Sequence, residues 1–140
     1  MNKVEKQAKL IDWIICDDIR VEINRKLMFI GVYQDNIIVP KIPFALPQFT
    51  ILTKWDTSKS SIKDFEIRVI QPDKQKIGPI IGKLGPELET KKKTSIQVTI
   101  APFKIPIAGK YKIVMEIDKK TYKIGSFEVA LAPERGEAKS

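Results

Sequence analysis

The sequence predicts an all-β protein, an antiparallel two-layer β-sandwich of about eight strands with immunoglobulin-like character. Three observations carry this expectation. Period-two alternation of apolar and polar residues recurs along the chain, so one face of each segment is buried and the other is wet. Turn-forming and proline-rich breaks separate these segments at intervals of roughly eight to twelve residues, as in sandwiches. After residue 10, no stretch of eleven or more residues carries helical periodicity.

In order along the chain, Ile19, Val21 and Ile23 alternate with Arg20 and Glu22, predicting a strand whose odd positions face a core. Asn24-Arg25-Lys26 is a polar break, so residues 19–23 and 27–33 form a hairpin. Leu27 to Tyr33 is apolar throughout and suits a central strand, covered on both faces. A turn at 33–36 leads into Ile37-Ile38-Val39, and Pro40, Pro43 and Pro47 hold the next segment in an extended crossing without ladder donors. Phe49 to Trp55 resumes as a strand.

Phe65, Ile67 and Val69, then Ile96, Val98 and Ile100, then Tyr111, Ile113, Met115 and Ile117 mark three further alternating strands. Between them, 77–93 is a loop or short edge strand punctuated by Gly and Pro. The last hairpin turns at Lys119-Lys120 and returns through Thr121 to Leu131. Its buried phase changes from even positions (Tyr122, Ile124) to odd ones (Phe127, Val129, Leu131). One extra residue near Gly125-Ser126 repairs the register, which predicts a β-bulge there.

The chain's 140 residues suit a single domain. Residues 1–9 are expected to be a flexible or short helical lead, 10–132 the sandwich, and 133–140 a disordered tail. The apolar run 10–16 is too short to span a bilayer and is interrupted by Asp12, so no membrane attachment is expected. A lone Cys16 suits a small buried hydrophobe in a reducing compartment, placing the protein in the bacterial cytoplasm.

Composition excludes much chemistry. With no histidine, the usual general base and zinc ligand are missing, and no Ser–His or Cys–His nucleophile can form within the chain. One cysteine permits neither an intramolecular disulfide nor a cysteine metal cluster. Gly78 to Lys83 carries three residues between its glycines and Leu84 after its lysine, which does not make a phosphate loop. No catalytic residue, cofactor or metal is expected, and the protein is read as not an enzyme. Asp12, Asp17 and Asp18 cluster around Cys16 and leave a metal-dependent enzyme as a third reading; strand bending, with carboxylates on backbone amides, is the simpler role.

The formal net charge is +8, and only four of the 25 basic residues are arginine. The excess concentrates in the second half, where 14 basic residues face 8 acidic ones. Lys91, Lys92, Lys93, Lys110, Lys112, Lys119, Lys120 and Lys123, with Lys104, form the candidate polyanion surface. Lysine contacts to phosphate are sequence-independent and salt-dependent. Single-strand binding also wants exposed aromatics, for which Tyr122 and Phe103 are the candidates. Without such a module, the same lysines serve solubility and protect strand edges.

The leading expectation is a non-enzymatic protein-interaction or scaffold module with an unknown protein partner. Nucleic-acid or polyanion binding is the alternative. In solution the chain is expected to be a monomer, or a homodimer paired through edges such as 37–39 or 77–81.

Cys16-Asp17-Asp18-Ile19-Arg20, then Glu22, Lys26, Ile30-Gly31-Val32-Tyr33 and Ile38-Val39-Pro40, resembles the opening of a family of small bacterial proteins of unknown function. The resemblance extends through Pro43-Phe44 and a closing strand like Gly125 to Val129. It implies no activity, cofactor or catalytic residue.

Overall fold

A computed structural model of the chain describes residues 8–58, 62–83 and 93–133. Eleven strands occur among them: β1 (Lys9–Val21), β2 (Leu27–Tyr33), β3 (Asn36–Val39), β4 (Phe44–Leu46), β5 (Phe49–Asp56), β6 (Asp64–Ile70), β7 (Lys76–Lys83), β8 (Lys93–Ile100), β9 (Phe103–Ile105), β10 (Gly109–Ile117) and β11 (Lys120–Leu131). One sheet has the order β2-β1-β5-β8, a second the order β3-β11-β10-β6-β7, and β4 pairs β9 separately. Pairing is antiparallel except for β3 beside β11, which is parallel. The count exceeds the expected eight because strands as short as β4 and β9 hold too few residues to display alternation.

The two sheets enclose one core. Ile15, Ile51, Trp55, Ile96 and Val98 from the first meet Ile67, Val69, Tyr111, Ile113, Met115, Phe127 and Val129 from the second. Aromatic rings fill its centre: Phe49 stacks on Phe103 at 4.4 Å between centroids and Tyr111 on Phe127 at 5.3 Å. Each fully buried side chain of this size contributes about 1.5–3 kcal/mol of transfer free energy. Buried Thr53 is satisfied, because Trp55 Nε1 donates to its Oγ1 at 2.7 Å and Thr53 in turn reaches the Ile96 carbonyl. Leu46 is buried and Phe44 half-buried against the same core, so the proline-rich crossing caps the sandwich.

Alternation locates the buried faces of β6, β8 and β10 correctly. Elsewhere the pairing corrects the sequence reading. β2 lies at an edge, and β5 is the strand with both faces covered. Two-residue geometry at the last hairpin places Asp118-Lys119 in the turn, one residue earlier than expected, since Ile117 pairs Lys120. Both turn residues have positive φ, 46° and 73°, as a type I′ turn requires. The expected bulge is present: Gly125 pairs Ile113 and Lys123 pairs Val114, leaving Ile124 as the extra residue. Ala8 and Lys9, expected in the lead, belong to the folded unit. Ala8 is buried and its carbonyl accepts from the Tyr122 hydroxyl, while Lys9 begins β1. The rest of the lead and the tail beyond 133 lie outside the described residues.

Candidate functional site

The residues that carry the family resemblance meet across β1 and β2, because Ile15 pairs Tyr33 and Cys16 pairs Val32. The Tyr33 hydroxyl donates to Asp17 Oδ1 at 2.5 Å. Gly31, at φ +67°, leaves the space the Asp17 carboxylate occupies; a Cβ there would collide with it. Burial and the Asp17 hydrogen bond push the Tyr33 phenol well above its ordinary pKa, so it stays a donor.

Asp18 turns to other partners. Its Oδ1 accepts from the Ile19 amide and from Gln48 Nε2, each at 2.8 Å, and Arg20 approaches Oδ2 at 3.3 Å. Desolvation works to raise its pKa, but the Arg20, Ile19 and Gln48 hydrogen bonds hold it below the usual aspartate value. Asp17-Asp18 therefore does not end β1, although it shifts the strand's phase. Cys16 and Ile19, three residues apart, share one small apolar cluster with Leu52 and Phe29, whereas strict alternation would separate them. Burial first, then the neighbouring aspartates, raise the Cys16 thiol pKa and keep it an inert packing group.

The aspartates do not form a metal centre. Asp12 is exposed and accepts from the Trp13 amide, while Asp17 and Asp18 are bound to different partners. Among the described residues no three Asp, Glu, Cys or His side chains gather around a common point.

A different surface emerges where β1 leaves its neighbour. Pairing of β1 with β5 stops at Cys16–Thr50, but pairing with β2 continues to Val21–Leu27. Beyond Cys16 the two strands form a ribbon that overhangs the sheet. Val21 and Ile23, expected in the core, are consequently 67% and 106% exposed. Leu27, Met28 and Val32 on β2 are also exposed. A depression of about 280 Å³ at the end of β2 is lined by Val32, Tyr33, Gln34, Asp35 and Asn36. The sequence signal for this surface was the unbroken apolar run of β2, which composition alone assigns to a covered position.

The lysines scatter over several surfaces. Lys91 and Lys92 lie outside the described residues. Lys93 starts β8 in the first sheet, opposite Asp56. Lys104 is exposed on β9, and Lys119 and Lys120 are exposed at the last turn. Lys110, Lys112 and Lys123 share the outer face of the second sheet with Arg68 and Lys76, but Glu66, Glu116 and Glu128 stand among them. Arg68 pairs with Glu66 at 3.0 Å. Neither aromatic candidate is available for stacking on bases: Phe103 is fully buried against Phe49, and Tyr122 packs edge-on against Trp55.

Among the described residues no helix is long and apolar enough to cross a membrane. No curated protein matches the chain. A family model matches residues 11–130, covering nearly all of the sandwich, and the chain therefore belongs to a family of unknown function, DUF6941.

Proposed function

We propose that the protein is a non-enzymatic interaction module that binds another polypeptide by strand addition along β2. One observation carries this reading: a seven-residue apolar strand, LMFIGVY, occupies a sheet edge whose outer side has no partner among the described residues. An open edge offers unpaired N–H and C=O groups as a template for another strand. Exposed Leu27, Met28 and Val32 add apolar area to that template. The closing β10–β11 hairpin and the two facing sheets support the immunoglobulin-like assignment, and the lone buried thiol supports a reducing bacterial cytoplasm. The missing histidine and the structural hydrogen bonds of Asp17 and Asp18 favour binding over catalysis.

Photo-cross-linkers placed at Met28 and Val32, with Ile81 on β7 as control, test this reading in bacterial cells expressing the protein. The expected adducts map to alternate residues of one extended segment, the spacing of an added strand. Adducts no stronger than those at Ile81 would overturn it.

A second reading, polyanion binding, is favoured by Lys110, Lys112, Lys123, Arg68 and Lys76 sharing one outer face. It requires a gel shift at about 50 mM salt that is lost near 200 mM. Absence of any complex at the lower salt removes it.

A further inference from the structure

We propose that the free tip of the β1–β2 ribbon, residues 20–28, docks on the surface of an anionic lipid bilayer. This goes beyond strand addition along β2, which uses the edge of the ribbon and not its end.

The tip projects because pairing of β1 with β5 stops at Cys16, while β1 and β2 stay paired as far as Val21–Leu27. Every residue from Arg20 to Met28 is exposed, so this end stands clear of the sandwich on both faces. Val21 and Leu27 are cross-strand partners, and Met28 lies opposite Arg20. Ile23, in the turn between them, is 106% exposed. Four large apolar side chains thus crowd the end of a narrow protrusion. Behind them the same ribbon continues into Ile19 and Phe29, which pack on Cys16 and Leu52 and anchor it to the sheet. An apolar protrusion needs a deep complementary pocket in a protein partner, whereas the fluid acyl boundary of a bilayer receives it without one.

Two further observations favour lipid. The backbone of the turn is satisfied internally: Glu22 N donates to the Lys26 carbonyl and Arg25 N to the Glu22 carbonyl, each at 2.8 Å. Lys26 N donates to Asn24 Oδ1 at 3.1 Å. These amides can enter a poorly hydrated interface without losing a partner, which lipid demands. Charge is the second. Arg25 and Lys26 sit between Ile23 and Leu27 in the chain, and Glu22 is the only acid among residues 20–28. Among the described residues the ion pairs are Arg20–Asp18 and Arg68–Glu66, so neither Arg25 nor Lys26 is neutralised. Both are placed to meet lipid phosphates as the apolar groups sink in, and the net charge of +8 draws the chain toward an anionic surface. The tip lies in the interface and crosses nothing.

Vesicle sedimentation and a fluorescent label test the proposal on the full chain. Vesicles of phosphatidylcholine with about one-third phosphatidylglycerol are expected to sediment the protein, and pure phosphatidylcholine to leave it in solution. An environment-sensitive dye on Ile23→Cys should shift to the blue with the anionic vesicles, while the same dye on Ile81→Cys of β7 does not. Native Cys16 is fully buried and takes no label. Ile23→Asp and the pair Arg25→Glu/Lys26→Glu should each weaken sedimentation roughly tenfold, and all these positions are exposed, so the fold is retained. No association with anionic vesicles overturns the proposal. So does association that ignores Ile23→Asp but is lost on Lys110→Glu/Lys112→Glu, which would put the second sheet's outer face on the lipid. A dye shift that grows with protein concentration in the absence of lipid assigns the tip to a second copy and also overturns it. Strand addition is judged separately, by the Met28 and Val32 cross-links, and survives any of these results.

Discussion

Tyr33 and Asp17 are joined by a 2.5 Å hydrogen bond between neighbouring strands, at the point where β1 stops following β5 and continues with β2 alone. A neutral phenol donates and a carboxylate accepts, so the pair is charge-assisted. It ties the base of the overhanging ribbon to the sandwich and holds the β2 edge in place.

Tyr33→Phe is expected to cost about 1.5–3 kcal/mol at neutral pH, measured by urea unfolding, because it removes a hydrogen bond to a charged group. The folded-state pKa of Tyr33 is raised above its ordinary 10.0. Its contribution is therefore whole below pH 10 and is lost as pH rises through the folded value. The gap between wild type and Tyr33→Phe should narrow above about pH 10. A gap that stays constant into strong alkali contradicts this assignment.

Gly31→Ala is expected to destabilise by about 2–4 kcal/mol, combining the penalty of a left-handed backbone with displacement of the Asp17 carboxylate. The double variant Asp17→Ala/Gly31→Ala should lose less than the sum of the two single losses, since both act on one contact. Strict additivity in the thermodynamic cycle would show the two residues to be uncoupled.

Asp18 titrates with the opposite sign to Tyr33. Its folded pKa lies below the ordinary 3.8, so its contribution is present above pH 3.8 and is lost as pH falls through the folded value. Thermal midpoints of wild type and Asp18→Asn, measured from pH 7 to pH 2, should differ most near neutrality and converge in acid. Curves that diverge in acid would reverse the sign of the linkage.

Lys119→Gly is expected to stabilise the protein by about 0.5–1 kcal/mol, because glycine adopts the positive φ of this turn position without a Cβ clash. Asp118 is best left intact, since its carboxylate accepts from the Lys63 and Asp64 amides. Denaturant midpoints compare the two proteins directly, and a lower midpoint for Lys119→Gly refutes the turn assignment.

Local sequence carried the parts of the fold that depend on one strand at a time. In β10, alternation alone located Tyr111, Ile113, Met115 and Ile117 in the core, because side-chain direction follows from the pleat. The phase change in β11 announced its bulge for the same reason. The candidate site was half legible: Cys16-Asp17-Asp18 and Gly31-Val32-Tyr33 stand out as words in the sequence, but nothing in either word says they are paired. Phe103 shows the converse failure. It sits among lysines in the chain and beneath the rings of Phe49, Tyr111 and Phe127 in the fold.

By itself the sequence determined an all-β chain, its strand faces, its lack of the common catalytic residue types and a lysine-dominated charge. Only the tertiary structure decided which strands are edges, since edge and centre differ in long-range pairing and not in composition. Val21 and Ile23 alternate as core residues do, yet β5 ends its pairing before reaching them. β2 has the apolar run of a covered strand and lies at the rim. Hydrophobic pattern states that a surface must be covered. Topology determines whether the chain covers it alone.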